Sequence, residues 1–147
     1  MFIAFDPGNT TGYAVFDIHG DIQDMGQISN GIEGVVEWLS NHDEPYSTMI
    51  VEDYKITPNE ASHNVGRDLM AVQVIGMLKG WAKSHSIRLV MQSRNVKNMG
   101  AIYGGYKHKG AHKDSHQWDA YYHGMYYLVK NRVRLPRGME ADGGKKE

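Results

Sequence analysis

Apolar residues fall in short blocks along this chain, separated by polar and glycine-rich turns. Phe2–Phe5 is a four-residue apolar block that stops at a single carboxylate, Asp6. The small-residue turn PGNTTG follows and leads into a second block, GYAVFDI, over 12–18. Blocks of this length between turn signals predict buried strands. A third strand is predicted over 22–29, joined to the second by the turn His19–Gly20–Asp21. Ile32, Val35, Val36 and Leu39 recur at helical spacing and predict a helix over 31–41. STMIVEDY, residues 47–54, reads as a fourth strand, and IRLVMQ, residues 87–92, as a fifth. Between them a long helical pattern runs from about residue 59 to 84. Its apolar face is traced by Val65, Leu69, Val72, Ile75 or Gly76, and Leu78. A last helix is predicted over 114–132.

Three consecutive strands followed by alternating helices and strands predict one α/β domain over residues 1–135. Its sheet is mixed and five-stranded, with helices on both faces. The end of the chain, PRGMEADGGKKE from Pro136, is rich in glycine and charge and reads as a disordered tail over 136–147. No repeat is visible.

Composition changes this picture little. The chain has 147 residues, 41% hydrophobic and 22% charged, which suits one soluble domain with a real core. No run approaches the roughly 18 apolar residues of a membrane span. The N-terminus lacks the charged-then-apolar pattern of a signal peptide, so the cytoplasm is the expected compartment. Cysteine is absent, which excludes disulfides and thiolate metal sites. Net charge is −1, but its distribution is lopsided. Residues 1–60 hold eleven acids and one base, Lys55, whereas residues 61–147 hold fifteen bases and six acids. An acidic metal-holding end beside a phosphate-binding end is one reading, and uneven solvated faces are the other.

Asp6 ends the first strand and Glu52 sits late in the fourth. A carboxylate at the end of a central strand is costly to desolvate unless it is paired or meets a cation. The segment HKDSHQWDAYYHGMYYL adds His116, Asp119 and His123, which share a helix face at spacings of three and four. Asp6, Glu52, His116 and Asp119 make three carboxylates and an imidazole. Carboxylate-rich sites suit Mg²⁺ or Mn²⁺. Two such ions about 3.5–4 Å apart can activate water and stabilise the leaving oxygen of a phosphodiester. The small residues after Asp6 are then expected to leave room for a nucleic-acid backbone. Asp53, next to Glu52, is expected on the opposite face of the strand. Trp38, Trp81, Met70 and Met77 read as core or interface, and His42, His63 and His85 as exposed.

FIAFDPGNTTGYAVFD resembles the first motif of RuvC-type Holliday junction resolvases. IVEDYKI is similar to their second acid motif and HQWDA to their C-terminal helix motif. MQSRNVKNMG is similar to the strand-plus-short-helix segment between them. The resemblance spans roughly residues 2–128. It implies an RNase H-like fold and a metal-dependent endonuclease with about two Mg²⁺ or Mn²⁺ ions per site. It also implies a homodimer that cuts a four-way DNA junction symmetrically. Asp6, Glu52, His116 and Asp119 are the catalytic and metal-binding tetrad that it implies. Asp114 is a further acid nearby, ranked below His116. The short segment between RNVK and HQWDA departs from the longer helical one of bacterial resolvases, and the small size resembles a phage version.

That short segment carries Lys107, Lys109 and Lys113 among histidines, with Tyr103 and Tyr106 beside glycines. Lysines there would bind phosphate and the tyrosines would stack on unpaired bases. Arg94 and Lys97 are further candidate phosphate contacts. Met70, Val74, Met77 and Trp81 on the long helix are expected to pack against a twofold mate, the alternative being that they lie under the last helix. Other readings stay open on the residues alone: an RNase H-like nuclease acting on RNA, flaps or other branched DNA, an actin-like ATPase fragment, and a non-catalytic nucleic-acid-binding module.

Overall fold

A computed structural model of the chain describes residues 1–55, 58–63, 69–105 and 115–138. The strands are β1 (Phe2–Asp6), β2 (Thr11–Phe16), β3 (Ile22–Ile28), β4 (Thr48–Asp53) and β5 (Arg88–Ser93). The helices are α1 (Gly31–Asn41), α2 (Pro58–His63), α3 (Met70–Ser84), α4 (Lys97–Tyr103) and α5 (Ser115–Lys130). A single 3₁₀ turn, Arg94–Val96, leads into α4.

The sheet runs in the order β3-β2-β1-β4-β5. β1 pairs antiparallel with β2 and parallel with β4, and β5 extends the parallel half. Side chains alternate across β1, and the two cores follow from that alternation. Ile3 and Phe5 join Val35, Leu39, Met49, Val51, Val74 and Leu78 under α1 and α3. Ala4 joins Ala14, Phe16, Ile50, Tyr121, Met125 and Leu128 under α5 on the other face. The expected mixed five-stranded sheet with helices on both faces is therefore present.

The long helical pattern is not one helix. Leu69, an expected face residue, has non-helical backbone angles (φ −89°, ψ 81°) at the start of α3. The buried face of α3 is Val74, Ile75, Leu78 and Ala82, while Val72 is exposed. Val65 lies outside the described residues. The short helix implied after the fifth strand is present as α4.

Two close approaches seat α5. Gly12 is the register partner of Asp6, and a methyl group built on it would overlap the His116 carbonyl at the start of α5. The room beside Asp6 at this glycine is thus filled by the chain's own helix rather than kept for a nucleic-acid backbone. Gly100 of α4 likewise meets the Tyr122 backbone of α5, so the two helices cross in contact. Of the stretch from Pro136, residues 136–138 are described, and Arg137 N–H donates to the Tyr103 carbonyl at 2.8 Å. Residues 139–147 lie outside the description.

Candidate active site

Two strand ends and two helices bring the titratable side chains together. Alternation puts Asp6 on the Ala4 face of β1 and Glu52 on the Ile50 face of β4, both toward α5. Phe5 is paired with Val51, so Asp6 and Glu52 follow side by side at the ends of adjacent parallel strands. α5 passes over Gly12 and delivers His116 and Asp119. α4 delivers Lys97 from its first residue.

The contacts are short and cross the chain. His116 Nδ1–H donates to Asp6 Oδ2 at 2.9 Å. Lys97 Nζ lies 3.1 Å from Asp119 Oδ2 and 3.4 Å from Glu52 Oε2. His123 Nε2 lies 3.0 Å from the same Glu52 oxygen, and its Nδ1 lies 2.8 Å from Gln92 Oε1. The His123 side chain is fully buried and that of His116 is half exposed. The structure thus pairs His116 with Asp6 and links Glu52 to Asp119 through Lys97, at the ends of adjacent strands.

The electrostatics separate the two strand acids. Burial, and then the charge of Glu52, push the Asp6 carboxyl up from 3.8 to about 7. Burial also pushes Glu52 upward, but the His123 hydrogen bond and the Lys97 charge outweigh it and hold Glu52 down, to about 2. Burial lowers Lys97, yet the charges of Glu52 and Asp119 raise it more, so its ammonium is firmly protonated. Acids driven apart in this way mark a site short of positive charge.

Three carboxylates with an imidazole are a donor set that fits a hard divalent ion. Among the described residues, no three His, Asp or Glu side chains are gathered as a finished ion cage. Lys97 lies between Glu52 and Asp119, and His116 takes up one oxygen of Asp6. Lys97 is the stand-in cation, so the donor chemistry fits a divalent ion while the present arrangement is lysine-bridged.

The other predicted residues divide. Lys97, taken from sequence as a phosphate contact, belongs to the acid cluster. Arg94 is exposed and lines a cleft of about 440 Å³ with Asp53, Lys55, Met91, Ser93 and Asn95, next to Gln92. Tyr103 packs toward Tyr126 with ring centroids 6.3 Å apart. Tyr106, Lys107, Lys109, Lys113 and Asp114 lie outside the described residues. His123 and Gln92 are the residues that sequence reading missed. His123 was visible on the Asp119 helix face, but nothing in the sequence pairs it with Glu52. His42 is not simply exposed: it is part-buried, its ring stacks on Trp38 at 4.0 Å, and its Nδ1 reaches the Trp38 carbonyl.

No protein-family profile and no curated protein matches the chain. Solved structures do match. RuvC of Thermus thermophilus in complex with a Holliday junction substrate is 13% identical, with a TM-score of 0.63. That match covers 90% of this chain and 94% of the other. A second structure of Thermus thermophilus RuvC is 14% identical with a TM-score of 0.56, covering 92% and 98%. A Fowlpox virus resolvase complexed with substrate Holliday junction DNA is 13% identical with a TM-score of 0.58, covering 88% and 99%. The chain therefore has the RNase H-like fold of the RuvC-type resolvases.

Proposed function

We propose that this chain is a divalent-metal-dependent endonuclease that resolves four-way DNA junctions as a homodimer. One observation carries the reading: Asp6, Glu52 and Asp119, from β1, β4 and α5, lie close enough to act on one another's charge, with Lys97 bridging Glu52 and Asp119, on a resolvase-like fold. A structural role alone gives no reason to crowd acids until one of them resists ionisation near neutral pH.

Asp6, Glu52, His116 and Asp119 would hold Mg²⁺ or Mn²⁺, about two ions in all. Bound there, the ions would supply an activated water and charge stabilisation for the leaving oxygen. The protein's own groups divide the remaining work. Asp6, whose carboxyl is raised to about 7, would lose its proton to solvent and hold the ion as a carboxylate. His116 holds Asp6 Oδ2 and is half exposed, so it stays open to solvent beside that acid. Lys97, released from Glu52 and Asp119, has an ammonium able to bind a phosphate oxygen. Arg94 and the lysines of 106–114 would track the DNA backbone beyond the cut.

Cleavage assays on a four-way junction, a flap, a plain duplex and RNA, side by side with Mg²⁺, test the reading. The junction should be cut in paired nicks, and Asp6→Asn should lower the rate by orders of magnitude while junction binding survives. Wild-type cutting by Asp6→Asn would overturn the site. Preference for RNA or flaps would keep the nuclease and replace its substrate.

A further inference from the structure

Gln92 and His123 are polar side chains buried where apolar ones would pack without a desolvation cost. Gln92 is 8% exposed and His123 0%. Gln92 is the register partner of Glu52 on the neighbouring strand, so both stand on the face that α5 covers. His123 lies four residues beyond Asp119, one turn along α5, and therefore above the same acids. Its ring joins the two strands, with Nδ1 on Gln92 Oε1 at 2.8 Å and Nε2 on Glu52 Oε2 at 3.0 Å. The ring donates its Nε2–H to Glu52. The Gln92 amide turns end for end, so it partners Nδ1 as acceptor or as donor.

This is a built device rather than a filled gap. Both ring nitrogens are used, the ring lies wholly inside, and its two partners come from adjacent strands in fixed register. Glu52 has a flexible side chain whose carboxylate would otherwise rotate. With His123 holding Oε2, the plane of that carboxylate is set by the sheet and by α5 together. Lys97, itself only partly exposed, lies 3.4 Å from the same oxygen.

We propose that His123, braced by Gln92, is the positioning residue of this site: it holds Glu52 Oε2 and so sets the angle at which Glu52 meets a cation shared with Asp6 and Asp119. The proposal rests on the metal-dependent reading above. Hydrogen-bond partners behind metal-holding carboxylates typically contribute 10–100-fold in metal affinity. His123 acts through Glu52, so its effect should appear in ion binding before any DNA is present.

The test is Mn²⁺ titration of the full, metal-free chain by calorimetry, with the melting temperature as a fold control. His123→Leu keeps the volume and should weaken Mn²⁺ binding by about 10–100-fold. His123→Gln places an amide N–H where Nε2 stood and should restore most of that loss. His123→Asn is one bond shorter, reaches Gln92 but not Glu52, and should fall with His123→Leu. Gln92→Leu should cost less than His123→Leu, because it removes the brace and leaves the contact. If His123→Leu does not fold, the Gln and Asn variants, both amides, decide between them. Equal affinity in those two assigns His123 to packing and overturns the proposal. A wild-type chain that binds Mn²⁺, with all His123 variants binding alike, overturns this role and leaves the nuclease reading intact. A wild-type chain that binds no Mn²⁺ overturns both.

Discussion

Asp6 shows how a single residue can be held against its own stability. Its folded value of about 7 lies above the unfolded 3.8, so between those pH values the native chain binds more protons than the unfolded one. Stability from this group is therefore complete below about pH 4 and is lost as pH rises through about 7. Glu52 has the opposite sign: lowered from 4.5 to about 2, it contributes above pH 4.5 and is lost as pH falls toward 2. Without metal, wild type should therefore lose melting temperature relative to Asp6→Asn as pH rises from 5 to 8. At pH 8 the variant should be about 1–2 kcal/mol more stable, a few degrees in melting temperature. Parallel melting curves across that range would refute the crowding of acids. Lys97 should behave in the reverse sense. Lys97→Met leaves Glu52 and Asp119 without their shared cation and should cost about 1–3 kcal/mol in metal-free protein; an unchanged melting temperature would show that the lysine bridge carries no energy. The acids were legible in the sequence because each breaks or follows an apolar pattern. Lys97, Gln92 and His123 were not, because their roles depend on partners brought together by folding: His123 and Glu52 are 71 residues apart.

At the scale of elements, the central strands β1, β2 and β4 were legible because strands covered on both faces must be apolar nearly throughout, and short apolar blocks are visible without alignment. α1 was legible for the complementary reason, a single apolar stripe at helical spacing. The pattern over 59–84 misled because several registers of a helix score similarly when valines and methionines are scattered along it. Only the fold selects Val74, Ile75, Leu78 and Ala82 as the face turned to the sheet. The seating of α5 was hidden as well, since a glycine in a strand does not say which backbone approaches it. Gly12→Ala tests that seating. The added methyl group would push the first turn of α5 outward, separating His116 from Asp6 while the core from Tyr121 to Leu128 remains under the sheet. The expected result is a folded protein with normal far-ultraviolet dichroism, a melting temperature lower by several degrees and cleavage reduced at least tenfold. Full activity in Gly12→Ala would mean that the contact of His116 with Asp6 is not needed.

At the scale of the molecule, the lopsided charge gains a place. The acidic first sixty residues supply β1 and β4, with Asp6 and Glu52, and the basic remainder supplies Lys97 on α4. The two meet at the site. The lysines of 106–114 belong to the same basic half, and Lys107→Ala with Lys109→Ala should weaken binding to every DNA form and flatten its salt dependence. An unchanged salt slope would place the phosphate contacts elsewhere. Symmetry makes the remaining demand. A four-way junction has two equivalent strands to cut, and a closed twofold dimer puts one site on each. Of the four α3 residues expected at such an interface, Val74 is fully buried, while Met70, Met77 and Trp81 pack on the same core and keep part of their surface exposed. The most exposed large apolar side chains of this helical layer are Val72 on α3, 43% exposed, and Val36 on the neighbouring α1, 38% exposed. A dimer formed through this layer should therefore depend on Val72 rather than on Trp81. Sedimentation of the 16.6 kDa chain should give twice that mass at micromolar concentration. Val72→Glu should return it to the monomer with its melting transition intact, since an exposed position contributes little to the core. Junction cleavage by that monomer should then stop at one nick per molecule. A dimer that survives Val72→Glu moves the interface off this layer, and a wild-type chain that remains monomeric even on a junction removes the twofold mechanism altogether.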